Sequence, residues 1–119
     1  DMRVLQRNVK MNSGCAVISS HAAGSTPFLI NDNENGIIYE SGNIQDLYQK
    51  IKHLLDNQSE QERLGKNAYK SITELWSPHN AAERFLALSQ SIIDGKNLDL
   101  YDNGPCSRSQ PLKNNWYKP

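Results

Sequence analysis

The chain has 119 residues, and its 13 Lys+Arg balance its 13 Asp+Glu, so the formal charge is zero at pH 7. That balance argues against a nucleic-acid partner, which leaves a basic footprint, and against an anionic membrane surface. The length allows one domain with a modest core, and no apolar run could cross a bilayer or serve as a signal peptide. The expectation is a cytoplasmic protein, or one peripheral at the inner face of the membrane.

The first ten residues mix charged and apolar types without a period. From Cys15 the pattern sharpens: Cys15-Ala16-Val17-Ile18-Ser19-Ser20 is a short apolar run ending in small polar residues, the form of a buried strand feeding a loop. The loop runs from His21 to Pro27. Phe28-Leu29-Ile30 is too short to classify. In Asn31 to Gly36 the Asn35-Gly36 pair predicts a turn with left-handed backbone positions. Ile37-Ile38-Tyr39 reads as a second short strand.

Three helices follow. Asn43 is a predicted N-cap with Asp46 in the first turn, and Ile44, Leu47, Tyr48, Ile51, Leu54 and Leu55 form one apolar stripe. A second helix is expected to open at Ser59, with Glu62 three residues later completing a capping box. Its stripe is Leu64, Ala68, Ile72 and Leu75, running into Trp76. The third begins at Ser77-Pro78, has Ala81, Phe85, Leu88 and Ile92 as its stripe, and stops at Gly95. Beyond Gly95 the composition turns to Asn, Asp, Pro, Ser and Lys, with two late aromatics, Trp116 and Tyr117. The two cysteines, Cys15 and Cys106, are expected as reduced thiols, the first buried in a strand and the second in the tail. Two short strands make a poor sheet alone, so the striped helices call for a sheet continued by further chain.

Several chemistries are excluded. There is no Walker loop, dinucleotide fingerprint, metal-spaced cysteine pair or zinc-protease motif. His21, His53 and His79 stand on separate elements, and no metal is expected. Asn31, Asn33, Asn35 and Gly36 imitate the first half of a calcium loop, but Gly42 stands where the bidentate glutamate belongs. What remains is the loop His21 to Pro27, at the carboxyl end of a buried strand, where open α/β sheets bind ligands. Gly24 can let the backbone approach a ligand closely, and Ser25 and Thr26 can donate to phosphate oxygens.

A family resemblance gives that loop a context. Met11 to Ser20 resembles the "EAMxxGxPVVAS" segment of retaining glycosyltransferases built from two Rossmann-like domains, the GT-B fold. Gly24 to Ile30 looks like their "GGxPELI" loop, Asp32 to Tyr39 like "DGxNGLLF", and the stretch from Gly42 like the helix that follows it. Arg63-Leu64-Gly65 with Ala68 fits "RLGxxAR", and Trp76-Ser77 with Ala81, Ala82 and Glu83 fits the closing helix. The resemblance spans residues 11–95. It implies an α/β, partial Rossmann-like unit with two short parallel strands and three helices, preceded by an atypical stretch 1–10 and followed by an irregular tail 96–119.

It also implies the C-terminal part of a nucleotide-sugar donor-binding domain, with Gly24, Ser25 and Thr26 at the donor diphosphate and sugar. The acceptor-binding domain would lie upstream, and no cofactor is implied. The intact enzyme would pass a sugar from a nucleotide-sugar donor to a glycan acceptor. The Ser20-His21 flavour and Gly104-Pro105-Cys106-Ser107 resemble enzymes of bacterial surface-polysaccharide synthesis. Two departures stand out: Phe28 replaces the family's glutamate after Pro27, and Val9 and Asp1 fall where its paired glutamates belong. With no acid, base or nucleophile to name, the chain is expected to be a fragment without turnover of its own. The competing reading is a small non-catalytic helical module for protein interaction.

Overall fold

A computed structural model describes residues 10–97, 99–109 and 111–119. Asp1 and Val9, and with them the comparison to the paired glutamates, lie outside these residues. Strands β1 (Ile18–Ser20) and β2 (Ile37–Tyr39) pair in parallel, with Ile18 opposite Ile37, Ser19 opposite Ile38 and Ser20 opposite Tyr39. The crossover between them carries a single-turn helix, α1 (Thr26–Leu29). Three longer helices follow: α2 (Ile44–Asp56), α3 (Gln58–Lys70) and α4 (Pro78–Ile93). The arrangement is the mixed α/β, partial Rossmann-like one, with α1 as the addition.

Alternation along the strands divides the core between the two faces of the pair. Val17 and Ile38 belong to a cluster with Met11, Leu29, Ile30 and Ala68. Ile37 joins Leu54 of α2 and Leu64 of α3, with Ala16 and Ile18 packed alongside. Both faces are therefore apolar, as parallel strands covered on two sides require.

The outer edge of β2 is closed by side chains instead of another strand. Ile38 donates its N–H to Asp32 Oδ1 (2.7 Å), and Lys50 Nζ donates to the Ile38 carbonyl (2.5 Å). Asp46 Oδ2 accepts from Glu40 N at 2.7 Å and also meets Lys50. Such capping leaves no free ladder groups for a stray strand. Among the described residues the sheet has only these two strands, so the second edge of β1 has no strand partner.

The caps of α2 and α4 form as the sequence suggests. Asn43 accepts from Asp46 N at 3.0 Å, and Ser77 accepts from Asn80 N at 3.1 Å. Gly95 adopts φ 64° just past the end of α4, the left-handed stop that favours glycine. The last turn after α3 widens into a π-helical turn, Ser71–Leu75, closed by Trp76 N donating to Ser71 O at 3.0 Å.

Four expectations need correction. The first strand covers only Ile18–Ser20, and Cys15 is exposed before it, two residues ahead of the first ladder bond, from Ile37 N to the Val17 carbonyl at 2.9 Å. Asn35 and Gly36 do not take left-handed angles; Asn33 does, at φ 60°. Gly36 serves closeness instead, since a Cβ there would meet Ile30 side-chain atoms and the Val17 carbonyl at 3.1 Å. The Ser59–Glu62 capping box does not form: Asn57 is the N-cap, and Gln58 Nε2 reaches Glu62 Oε1 at 3.0 Å. Apart from these corrections, the stripes of α2 and α4 are largely uncovered among the described residues, with Ile44 79% and Leu55 73% exposed and no buried residue on α4.

The tail, finally, is irregular but docked. Arg84 Nη1 donates to the carbonyls of Asn103 (2.6 Å) and Pro105 (3.2 Å), and its guanidinium lies 3.9 Å from the Tyr101 ring centroid. Gly104 is buried against Leu75 at φ 78°. Trp116 and Tyr117 pack onto the first core cluster.

Candidate site at the carboxyl end of the parallel pair

The sequence places small polar residues where β1 leaves the sheet, and the structure turns them into a tight bend. Ala23 N donates to Ser20 O (3.2 Å), and Thr26 N donates to Ala23 O (2.9 Å). The Thr26 hydroxyl donates to Ser20 O at 2.9 Å and lies 2.7 Å from Ser19 Oγ. One hydroxyl proton cannot serve both, so Ser19 must donate to Thr26. Thr26 is wholly buried, and this pair fixes the loop to the strand beneath it.

The three residues singled out by sequence thus differ in setting. Gly24 is exposed, with open space around its missing Cβ. Ser25 is half-buried at the start of α1. Thr26 is an internal brace. Replacing it by valine keeps the shape but leaves Ser19 Oγ without its acceptor. We expect Thr26→Val to cost about 1–2 kcal/mol, read as a lower urea midpoint with unchanged slope; no shift in the midpoint would refute the brace.

A second cluster stands beside this loop, and it joins the ends of both strands. His21 continues the ladder by donating its N–H to Tyr39 O at 3.0 Å. Its Nδ1 accepts from Ser41 N at 2.9 Å, so the ring ties the loop after β1 to the turn after β2. The Tyr117 ring stacks on His21 with centroids 4.1 Å apart and planes 27° apart. Tyr117 donates its hydroxyl to Glu40 Oε1 (3.0 Å), Lys118 Nζ reaches the same oxygen (3.3 Å), and Asn43 Nδ2 donates to Oε2 (3.1 Å). Sequence reasoning noticed Tyr117 only as a late aromatic. No local pattern links it to His21 and Glu40, because the pairing spans most of the chain.

Glu40 is held at about 2, well below the usual carboxylate range, by the hydrogen bonds from Asn43, Tyr117 and Lys118 and by the Lys118 charge. The depression fixes the sign of the acid response. Its contribution is complete above the ordinary value near 4.5 and is lost as the pH falls toward 2. The Glu40 side-chain carboxyl resonance should therefore keep its ionised shift at pH 4 and move only in stronger acid. A midpoint near the ordinary carboxylate value would contradict these contacts.

Among the described residues, no three His, Cys, Asp or Glu side chains are grouped to hold a metal ion. No helix among them is long and apolar enough to cross a membrane.

A parallel βαβ pair with both faces apolar and a small-residue loop at its carboxyl end defines an α/β, Rossmann-like unit, whose strand ends are where open sheets of this class place ligands. The sequence profile of the family described as "Glycosyl transferases group 1" matches residues 10–71, just over half of the chain, and the chain belongs to that family. The match takes in β1, the loop, β2, α2 and α3. No curated protein and no solved structure gives a match. Membership carries a glycosyl-transfer function, with a sugar donor and an acceptor as substrates.

Proposed function

We propose that this chain supplies part of the donor site of an enzyme that moves a sugar from a nucleotide-sugar to a glycan acceptor, in the making of a bacterial surface polysaccharide. Residues 11–95 are the closing part of the donor-binding domain, residues 96–119 its tail, and an acceptor-binding domain accompanies it in the intact enzyme. The carrying observation is the loop after β1, braced from below by Thr26 so that Gly24 and Ser25 lie at the carboxyl end of the pair. Gly24, Ser25 and Thr26 are assigned to the donor diphosphate and sugar, with Gly24 and Ser25 as the groups near the ligand and Thr26 as their support. Backbone N–H groups fixed in this way stabilise a leaving diphosphate without reorganising. The exposed stripe on α2 and the edge of β1, which has no strand partner among the described residues, support further sheet beside this segment.

Titration with uridine or guanosine diphosphate, followed by amide shifts, tests the assignment. Changes should concentrate at residues 22–26. Saturating nucleotide with no change there would sink the donor reading. Incubated alone with labelled nucleotide-sugars, the chain should show no transfer, and steady transfer would overturn the expectation that it is inactive by itself.

One observation favours the competing reading of a helical interaction module: Ile44, Tyr48, Ile51 and Leu55 form an exposed apolar stripe on α2, and such patches mark contact surfaces. Tight capture of a protein partner through that stripe, with no nucleotide effect at Gly24, would favour it.

A further inference from the structure

We propose that the C-terminal arm is a clamp on the ligand loop, with Tyr117 and Glu40 as positioning residues that act through His21. The geometry runs through one ring. His21 opens the loop, its backbone closes the ladder with Tyr39 O at 3.0 Å, and its Nδ1 accepts from Ser41 N at 2.9 Å. Tyr117 covers that ring at 4.1 Å. The tyrosine is itself fixed at both ends, by its hydroxyl on Glu40 at 3.0 Å and by its packing beside Trp116 onto the core. Glu40 is anchored in turn, because Asn43 Nδ2 binds its second oxygen at 3.1 Å and Lys118 its first at 3.3 Å. Asn43 is the N-cap of α2, so the chain of contacts passes from the arm to the ligand loop and to a helix end.

The physical consequence is a loss of freedom at residues 21–24. The loop is tied firmly at its far end, by Thr26 N on Ala23 O at 2.9 Å and the Thr26 hydroxyl on Ser20 O at 2.9 Å. Nearer its start, among the described residues, Ser20 Oγ and the Ser20 carbonyl hold the Ala22 and Ala23 amides at 3.2 Å each, the long end of the range for such bonds. Gly24 is exposed and has open space around it. The light hold at Ala22 and Ala23 makes this end of the loop depend on what fixes its first side chain. With the arm in place, His21 cannot swing out without breaking the stack and the Ser41 bond together. The ligand loop is thereby pre-organised, and pre-organisation raises affinity by sparing the ordering cost at binding.

Amide hydrogen exchange on the whole 119-residue chain tests the clamp without any ligand. Tyr117→Ala should speed exchange at Ala22 and Ala23 about tenfold or more, while the amides of α3 stay as they were. Tyr117→Phe keeps the stack and loses only the Glu40 bond, so its effect should be smaller. Glu40→Gln, which cannot pair with Lys118 as a charge, should fall between wild type and Tyr117→Ala. If Tyr117→Ala frees residues 113–119 yet leaves loop exchange within twofold, the clamp is refuted. General acceleration across α3 would mean lost stability, and Glu40→Gln then decides: faster exchange confined to Ala22 and Ala23 supports the clamp, and none refutes it.

The binding consequence rests on the donor reading and is measured separately with uridine diphosphate. Affinity should drop several-fold in Tyr117→Ala and be largely recovered in Tyr117→Phe. Equal affinity in both variants and wild type would remove the positioning role. If wild type binds no nucleotide, the donor reading falls, and the exchange comparison still decides whether the arm orders the loop.

Discussion

Gly65→Ala should destabilise this protein by about 3 kcal/mol or more, against the direction expected from helix propensity. In an exposed helix interior, exchanging glycine for alanine gains about 1 kcal/mol. Gly65 instead lies buried on α3 where the helix meets the segment entering β1. A Cβ there would stand 2.1 Å from the Gly14 carbonyl oxygen, 3.0 Å from its carbon and 3.3 Å from Ala16 N. All three are backbone atoms, so no rotamer change relieves the contact. Relief requires α3 to retreat, and Leu64 and Ala68, both fully buried on the same helix, would retreat with it. Opening two packed positions to relieve a third costs more than the propensity gain returns. A domain of this size has only some 5–15 kcal/mol to lose. Thermal and urea melts of Gly65→Ala beside Lys66→Ala, an exposed neighbour expected within about 0.5 kcal/mol of wild type, provide the measurement. A melting point equal to or above wild type would show that α3 does not approach the strand as closely as described.

The second large effect is expected at Asn35, which is buried with every polar atom of its side chain engaged. Its Oδ1 accepts from Asn31 N at 2.7 Å, and its Nδ2 donates to Leu29 O at 3.0 Å and to Ser71 Oγ at 3.0 Å. Ser71 passes its own proton to Asn67 O at 3.0 Å. One amide therefore joins the end of α1, the turn before β2 and the start of the π-helical turn. Asn35→Ala removes the partner of the part-buried Asn31 N–H and of the buried Leu29 carbonyl together, and we expect a loss of about 2–3 kcal/mol. Asn35→Asp is the sharper probe. It keeps the acceptor for Asn31 but turns the donor into a second oxygen facing Leu29 O, so it should be at least as damaging at pH 7. Because a protonated carboxyl can donate again, its deficit should shrink as the pH is lowered. Chemical denaturation at pH 7 and at pH 4.5 reads both effects. An aspartate variant as stable as wild type at pH 7 would refute the network.

Gly65 and Asn35 also mark the boundary of what local pattern conveys. Both fall in recognisable motifs, Arg63-Leu64-Gly65 and Asn35-Gly36, yet neither motif states its reason. From sequence, Asn35-Gly36 is a turn needing left-handed angles; in the fold, Asn33 takes that angle and Asn35 is an internal tie. From sequence Gly65 is a member of the Arg63-Leu64-Gly65 motif and nothing more, and only the approach of Gly14 explains it. The same holds for Thr26, which sequence chemistry offers as a phosphate donor and the structure uses as a brace. A hydroxyl's identity is local, whereas its accessibility depends on what lies across from it.

Residues 44–55 carry the same lesson in reverse. Their spacing predicts an amphipathic helix with one apolar stripe, and the helix and its Asn43 cap are both present. Periodicity fixes which residues share a face but cannot supply the surface that covers it. In this chain Leu54 finds partners in Leu64 and Ile37, while Ile44 and Leu55 remain in the open.

By itself, then, the sequence determined the elements governed by short-range rules. These were the β2 run Ile37–Tyr39, the caps at Asn43 and Ser77, the stop at Gly95, and the ordered motifs that carry membership among the group 1 glycosyl transferases. Each depends on residues within a turn or two of one another. The tertiary structure alone decided the contacts across the chain: Gly65 against Gly14, Asn35 against Ser71, and the Tyr117 ring on His21. Such contacts depend on where the backbone returns, and no periodicity or composition in a neutral, mixed chain encodes that return locally.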